Sequence, residues 1–273
     1  YKGEAILKVD AHAQIPSDFV SKNVAVLESG EDICGGQRPN IIDEPTKWRK
    51  TLLLAESSMF GSSIAPYRNN PGKSYVKSMF HAAYRRKVFD TIGGFNEELA
   101  RTEDNEIHYR MREAGFKLCF DPSIISYQHT RSSLKSMLKQ KYANGYWIGL
   151  TSGVCMQCLS LYHFVPFMFV MAIILSTLIC AGFSGVFTGG ILLTVYNIIV
   201  ILTKAMWSIY AVVAVLMAVL AVIQSKEDRN ITCILLPLLF FMLHISYGVG
   251  TFIGLIKMPF WVKGIKDGRN KKR

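Results

Sequence analysis

The chain has 273 residues, half of them hydrophobic, with 31 Lys and Arg against 20 Asp and Glu and a net charge of +11. Charged and turn residues run through it as far as about Ser160, whereas 161–256 is overwhelmingly apolar, which excludes a wholly soluble monomer and makes a bilayer the solvent of the second half. Beyond residue 160 ten basic residues face three acidic ones, and seven of the ten lie between Lys257 and Arg273; with no RNA- or DNA-binding module beside it, this charge argues against nucleic acid and for a cytoplasmic tail drawn to anionic lipid.

In chain order, Ala5 to Val9 predicts a buried strand with Asp10 at its end. The chain starts at Tyr1, in what reads as mid-fold and with no signal peptide, so it reads as a fragment lacking an N-terminal portion. Pro16 and Ser17 open a short helix with Asp18 in its first turn. Glu31 to Gly36 reads as a strand running into a Gly-Gly turn, and Pro45 to Met59 as a helix. Gly61 to Gly72 is loop-rich. Ala83 to Arg86 is a strand, and Lys87 to Ile92 a helical turn that stops at Gly93-Gly94. Asn105 to Ala114 is a helix capped by Gly115. Two strands follow, 116–120 and 124–128, separated by Asp121-Pro122. Ser132 to Tyr146 is helical, with Leu134, Met137 and Leu138 on one face and Lys135, Lys139 and Lys141 on others, a pattern that suits the bilayer surface.

Tyr162 to Ala181 has the length of one membrane span. Ile191 to Ile223 is too long for an ordinary span and is interrupted by Lys204; Ile231 to Ile256 is the last apolar stretch. The middle stretch is either one long tilted helix or two short helices joined near Lys204; with the soluble half and the basic tail both on the cytoplasmic side an even number of spans is needed, so four are expected. The six cysteines form no disulfide framework, and Cys155-x-x-Cys158 reads as a packing feature in a reducing compartment.

Three clusters carry candidate chemistry. Val9-Asp10-Ala11-His12 follows a strand; Asp10 and His12, two apart in a turn, can share a divalent cation, and an imidazole donor favours Mn²⁺ over Mg²⁺. Thr102-Glu103-Asp104 precedes a helix, where Asp104 or Glu103 is placed to take a proton. Gln128-His129-Thr130-Arg131 offers a metal ligand in His129 and a phosphate clamp in Arg131. Each taken alone has a plainer reading: Asp10 as a turn cap, Thr102 as a helix cap with acids along the dipole, His129 and Arg131 as structural.

The order of the pieces shifts that balance. Tyr84 to Glu97 (Y-R-R-K-V-F-D-T-I-G-G-F-N-E) leads into Thr102-Glu103-Asp104-Asn105-Glu106, then Arg110 and Ala114-Gly115. Together with Val9 to Ala13, Arg131 to Leu134 and Gln140 to Gly145, this resembles the family 2 glycosyltransferases over Ala5 to Trp147, in particular the membrane-anchored exopolysaccharide enzymes of the succinoglycan type. The resemblance implies an α/β fold, a partial three-layer α/β/α domain of the GT-A type with a mixed sheet, over 1–131. Interfacial amphipathic helices at 132–160, membrane helices at 161–257 and a basic cytoplasmic tail at 258–273 complete the expected organisation.

The same resemblance implies that Asp10 and His12 hold a divalent metal (Mn²⁺ or Mg²⁺), with His129 as a further ligand. It makes Asp104 the catalytic base and Glu103 its partner, and it places Arg85, Gly94, Arg131 and Gln140 at the substrate. It implies a nucleotide-sugar donor such as a UDP-sugar, a lipid-linked saccharide acceptor, membrane lipids as partners, inversion at the sugar, and a multi-pass plasma or inner membrane protein with a cytoplasmic catalytic domain. Gln140 stands where processive relatives begin a Q-x-x-R-W motif; here Arg and Trp are absent from their places, which favours addition of a single sugar. Asp10 would lie near the fourth strand of that fold, so the strands that bind base and ribose would precede Tyr1, and these residues alone are expected not to turn over donor. The rival classes are a transporter or channel with a soluble regulatory domain, and an inactive relative. Against the first, Lys204 and His244 lack acidic partners in the apolar stretches; against the second, Asp10, His12 and Glu103-Asp104 are all present.

Overall fold

The computed structural model describes residues 2–11, 13–61, 72–184, 186 and 189–271. His12 and most of the Gly61 to Gly72 loop lie outside them.

Eight strands and eight α-helices follow in the order β1 (Ala5–Lys8), β2 (Ala13–Gln14), α1 (Phe19–Glu28), β3 (Ile33–Gln37), β4 (Asn40–Ile41), α2 (Lys47–Ser57), β5 (Ser74–Val76), β6 (Ala82–Arg85), α3 (Arg86–Ile92), α4 (Glu103–Glu113), β7 (Leu118–Ile125), β8 (Tyr127–His129), α5 (Leu134–Thr151), α6 (Val165–Gly182), α7 (Gly190–Gln224) and α8 (Leu236–Lys271). The main sheet is mixed, in the order β1-β6-β3-β7-β5, with β3 and β7 parallel and the other neighbours antiparallel. A small second sheet, β2-β8-β4, lies beside the end of β1.

The period-2 alternation of side chains builds the layers. Ile33, Tyr84, Leu118 and Phe120 face α3 and α4, where they pack on Val88, Ile107 and Met111. Cys34, Ala83 and Cys119 face the other way, onto Phe19, Val26 and Leu27 of α1. The result is an α/β/α sandwich, as the resemblance implied. Gly35 and Gly36 belong to β3 rather than to a turn: a Cβ on Gly35 would lie 2.5 Å from the His81 carbonyl, and one on Gly36 2.0 Å from that of Ile124. Their pairing to β6 and β7 requires glycine because the neighbouring backbones come too close, a constraint that looks like turn chemistry when read as sequence. The two strands expected at 116–120 and 124–128 are likewise one strand with Asp121-Pro122 inside it, followed by β8.

Among the described residues, three helices are long and apolar enough to cross a membrane: Leu161–Gly182, Gly190–Gln224 and Ile231–Gly268, counting the short 3-10 turns that open the first and third. Of the two readings of the middle stretch, the structure shows the single long helix and no division near Lys204, on which the expectation of four spans rested. α7 is one unbroken helix of 35 residues, about 52 Å at 1.5 Å per residue. Lys204 is exposed on its surface and marks no break, because lysine is itself a good helix former and removes no backbone donor. His244 is fully partnered, by the Tyr210 hydroxyl at 3.0 Å and the Phe60 carbonyl at 2.6 Å.

A shared core joins the two halves. Leu52, Leu54 and Ala55 of α2 pack with Met137 of α5, Ala218 and Ala221 of α7, and Leu236, Phe240 and Leu243 of α8. Lys141, expected on an outer face of its helix, is buried and meets Glu56 at 3.0 Å, with 6% and 12% of the side chains exposed. Removing one member strands the other charge. Lys141→Met is therefore expected to lower stability by about 3–5 kcal/mol, and the double variant with Glu56→Leu to recover most of that; thermal unfolding of the two proteins in detergent measures the difference.

Candidate active site

The site forms where β1 ends and α4 begins. In β1, Leu7 and the following Val9 turn toward the α1 layer, so the intervening Lys8 points to the α4 face. Lys8 lies opposite Ala82 in the β1–β6 register, where a small buried partner leaves room for the long side chain. Its ammonium bonds the Asp104 carboxylate, lies 3.6 Å from Glu103 and sits over the Phe95 ring.

Glu103 and Asp104 open α4 after a backbone bend at Thr102, whose φ of 67° makes it the one non-glycine residue with positive φ among those described. A β-branched residue is strained there. The Thr102 hydroxyl meets that of Thr151, the buried last residue of α5, at 2.6 Å, so α5 holds the bend that aims the acidic pair. Thr102 therefore makes no side-chain cap; Glu103, Asp104 and Glu106 all sit in the first turn, where the helix dipole favours them. Arg110, paired with Glu106 at 2.7 Å, donates to the carbonyls of Ile92 and Gly94 and fixes the Gly-Gly-Phe turn against α4.

Burial pushes the Asp104 carboxyl up to about 6, against the pull of the Lys8 charge and hydrogen bond, with Glu103 and Asp10 adding to the rise. Burial alone would lower Lys8, but Asp104, Glu103 and Asp10 outweigh it and hold the ammonium above its ordinary range. Asp10 and Asp104 thus sit in one electrostatic neighbourhood centred on Lys8. A carboxyl poised near neutrality beside a fixed cation is equipped for general base work. Beneath it, His108 is fully buried and bridges Ser78 (3.1 Å) and the Tyr84 hydroxyl (2.9 Å). Burial first, then Lys8 and Arg112, depress it to about 3, so it is a neutral strut between α4 and β6.

At Asp10, the Nε2 of buried His81 comes within 3.5 Å of the carboxylate, and this nitrogen has no hydrogen bond among the described residues. Ser126 fixes the ring from the other side at 2.8 Å. His129 lies close in register, since β8 pairs with β2 through Gln128 and Ala13, and its Nδ1 is 2.6 Å from Asp43. Among the described residues, no three His, Cys, Asp or Glu side chains converge as a metal cluster. Arg131 donates to Gln140 at 3.3 Å, joining the end of the second sheet to α5. Arg85 is set apart: it ends β6 opposite Ala5, at the far end of β1 from Asp10, and its guanidinium is satisfied by the carbonyls of Leu27 and Glu31 beside Asp32. Lys8, His81 and Thr151 were missed from the sequence. Lys8 alone left a trace, a charge in the middle of an otherwise apolar strand.

An acidic pair and a strand-end aspartate thus gather around one lysine in an α/β sandwich fused to helices long and apolar enough to cross a membrane. The chain belongs to the glycosyl transferase family group 2, whose model matches residues 5–253. It is similar to the succinoglycan biosynthesis protein ExoA of Rhizobium meliloti (strain 1021), 23% identical over 143 residues, covering 51% of this chain and 42% of that protein. The O-antigen chain rhamnosyltransferase WbaN of Salmonella anatum is 32% identical over 116 residues, 41% of this chain and 33% of that one. A dolichyl N-acetyl-alpha-D-glucosaminyl phosphate 3-beta-D-2,3-diacetamido-2,3-dideoxy-beta-D-glucuronosyltransferase of Methanococcus voltae is 25% identical over 264 residues, 93% of this chain and 72% of that one. The chain thus spans less than half the length of the first two relatives.

Proposed function

We propose that this chain carries the acceptor side and membrane anchor of an inverting glycosyltransferase that moves one sugar from a nucleotide-sugar, such as a UDP-sugar, to a lipid-linked saccharide at the cytoplasmic face of a cell membrane. The observation that carries the reading is the buried Asp104, held near neutrality at the start of α4 and facing the strand-end Asp10 across Lys8. Asp104 takes the proton of the acceptor hydroxyl as that oxygen attacks the anomeric carbon. Inversion follows from a single displacement. Glu103 shares Lys8 with the base and keeps the ammonium in place. The similarity to the Methanococcus protein, named as a transferase to a dolichyl N-acetyl-alpha-D-glucosaminyl phosphate, supports a lipid-linked acceptor, as does the anchoring of the acidic pair to α5 through Thr151.

The donor set at Asp10 fits a divalent cation: a carboxylate with a buried imidazole nitrogen aimed at it, a nitrogen with no hydrogen bond among the described residues. His12 and His129 are the further proposed ligands, with Arg131, Gln140 and Gly94 on the substrate side. Bound there, a cation would offset the charge of a departing nucleoside diphosphate. Asp10→Asn and His81→Ala are both expected to raise the Mn²⁺ concentration needed for half-maximal transfer at least tenfold, and chelation is expected to abolish transfer. Transfer of radiolabelled sugar from nucleotide-sugar to membrane lipid extract measures this. Full rate in the presence of chelator would remove the metal from the reading.

A further inference from the structure

Two faces of α8 are covered by different neighbours. On one, Gly145 and Gly149 of α5 and the following Gly153 meet Tyr247, Thr251, Leu255 and Met258, while Gly250 and Gly254 of α8 meet Tyr142 and Tyr146. On the other, Gly248 meets Pro166 and Val170 of α6, and Phe241 packs on Phe169 and on Trp207 of α7. From Leu239 to Leu255 no residue of α8 is exposed, whereas exposed apolar side chains run along both α6 and α7. The layers therefore run from the α/β domain, through α5 and α8, to the α6–α7 hairpin.

We propose that α8 does not cross the membrane but lies on its surface, so that the chain spans the bilayer twice, through α6 and α7, and keeps its basic end on the catalytic side. The proposal rests on reading α6 and α7 as membrane spans. These two helices run antiparallel, with Tyr196 bonding the Cys180 carbonyl near one end and Phe169 stacked on Tyr210 toward the other. The end of α7 returns to the α/β domain, where Lys50 meets Asp228 at 3.2 Å and Thr51 meets Thr232 at 2.6 Å. From there α8 stays beside α5 as far as Trp261, which packs edge-on to Trp147. α5 in turn is tied to the α/β domain along its length, at Glu56, Arg101 and Thr102. A spanning α8 would draw that flank, with its charged side chains, into hydrocarbon, where an unsolvated charge is strongly disfavoured.

The occupant of the outer face is a lipid surface. Phe260 is 77% exposed, Ile256 is exposed beside it, and Lys257, Lys263 and Lys266 line the same end of the helix. Apolar side chains flanked by lysines match an interface with anionic headgroups. Leu161 and Tyr162, exposed where α6 begins, continue that surface. The acidic pair then lies about one helix diameter from the headgroups, through Thr151 and Thr102.

Three cysteines test the arrangement in sealed membrane vesicles treated with a membrane-impermeant maleimide, against the background of the unaltered protein. One replaces exposed Glu28 in the α/β domain, one replaces Ser184 between α6 and α7, and one is appended after Arg273. The expected result is that the Glu28→Cys and C-terminal thiols label from the same side and the Ser184→Cys thiol labels only after the membrane is opened. Labelling of the C-terminal thiol together with Ser184→Cys, from the side opposite Glu28→Cys, would mean three spans and overturn the proposal. Labelling of Ser184→Cys with Glu28→Cys in sealed vesicles would instead overturn the spans on which it rests, leaving the glycosyltransferase reading untouched.

Discussion

Asp104→Asn is expected to lower the rate of sugar transfer by about 10²–10⁴-fold while leaving the protein folded, because it deletes a general base and little else. The amide keeps the shape of the side chain and still accepts from Lys8, so β1 and α4 stay joined. The pH profile sharpens the test. Burial raises the Asp104 carboxyl to about 6. As pH falls through that value the base takes up a proton, and kcat/KM of the wild type should drop toward a tenfold loss per pH unit; above about 7 it should be flat. Lys8 opposes the rise, so Lys8→Met should move the acid limb to higher pH. A merely structural Asp104 would give a substitution that lowers folded yield and leaves the acid limb in place. Initial rates from pH 5 to 8 for the three proteins, each normalised to folded protein, separate the two. An unchanged rate in Asp104→Asn would remove it from the role of base.

The local patterns were legible wherever a single rule decided them. The apolar run Ala5 to Val9, the acidic opening of α4 and the glycine after it each predicted an element within a few residues of where it lies. Gly115, with φ of 88°, accounts for the turn out of α4 into β7. What was not legible depended on partners far away in sequence. Lys141 reads as an outward lysine until Glu56 is placed beside it, 85 residues earlier. Gly35-Gly36 reads as a turn until two neighbouring strands come within contact distance of its Cα atoms. Thr102 reads as a cap, since nothing local shows that its hydroxyl goes to Thr151 instead. The site showed the same split: the Glu103-Asp104 pair was visible as a motif, whereas its partner Lys8 and the His81 beside Asp10 join it through strand register and side-chain direction. The division of the middle stretch near Lys204 went the other way for a related reason, since length and one lysine cannot distinguish a long continuous helix from two short ones.

The glycines between α5 and α8 connect that packing to the chemistry, and Gly149→Leu is expected to have the second large effect. A Cβ on Gly149 would lie 2.6 Å from the Leu255 nitrogen and 2.7 Å from the Thr251 carbonyl oxygen, all backbone atoms that cannot swing aside. The same holds at Gly145, 2.0 Å from the Tyr247 oxygen, and at Gly254, 2.2 Å from that of Tyr146. Helices with small residues at every fourth position approach closely enough for dispersion to accumulate along the seam, and a branched side chain forces them apart. Overpacking of this kind costs about 1–3 kcal/mol, occasionally more. Because α5 carries Thr151 against Thr102 and Asn144 against Arg101 at 2.7 Å, the displacement should also loosen the strained bend before Asp104. The expected outcome is an earlier loss of folded protein on heating in detergent together with reduced transfer at temperatures where the protein is still folded. Gly182→Leu, at the open end of α6 where a Cβ meets nothing within 4 Å, should leave both unchanged. If Gly149→Leu behaved like Gly182→Leu in both measurements, the α5–α8 seam would not be the element that holds the acidic pair in place.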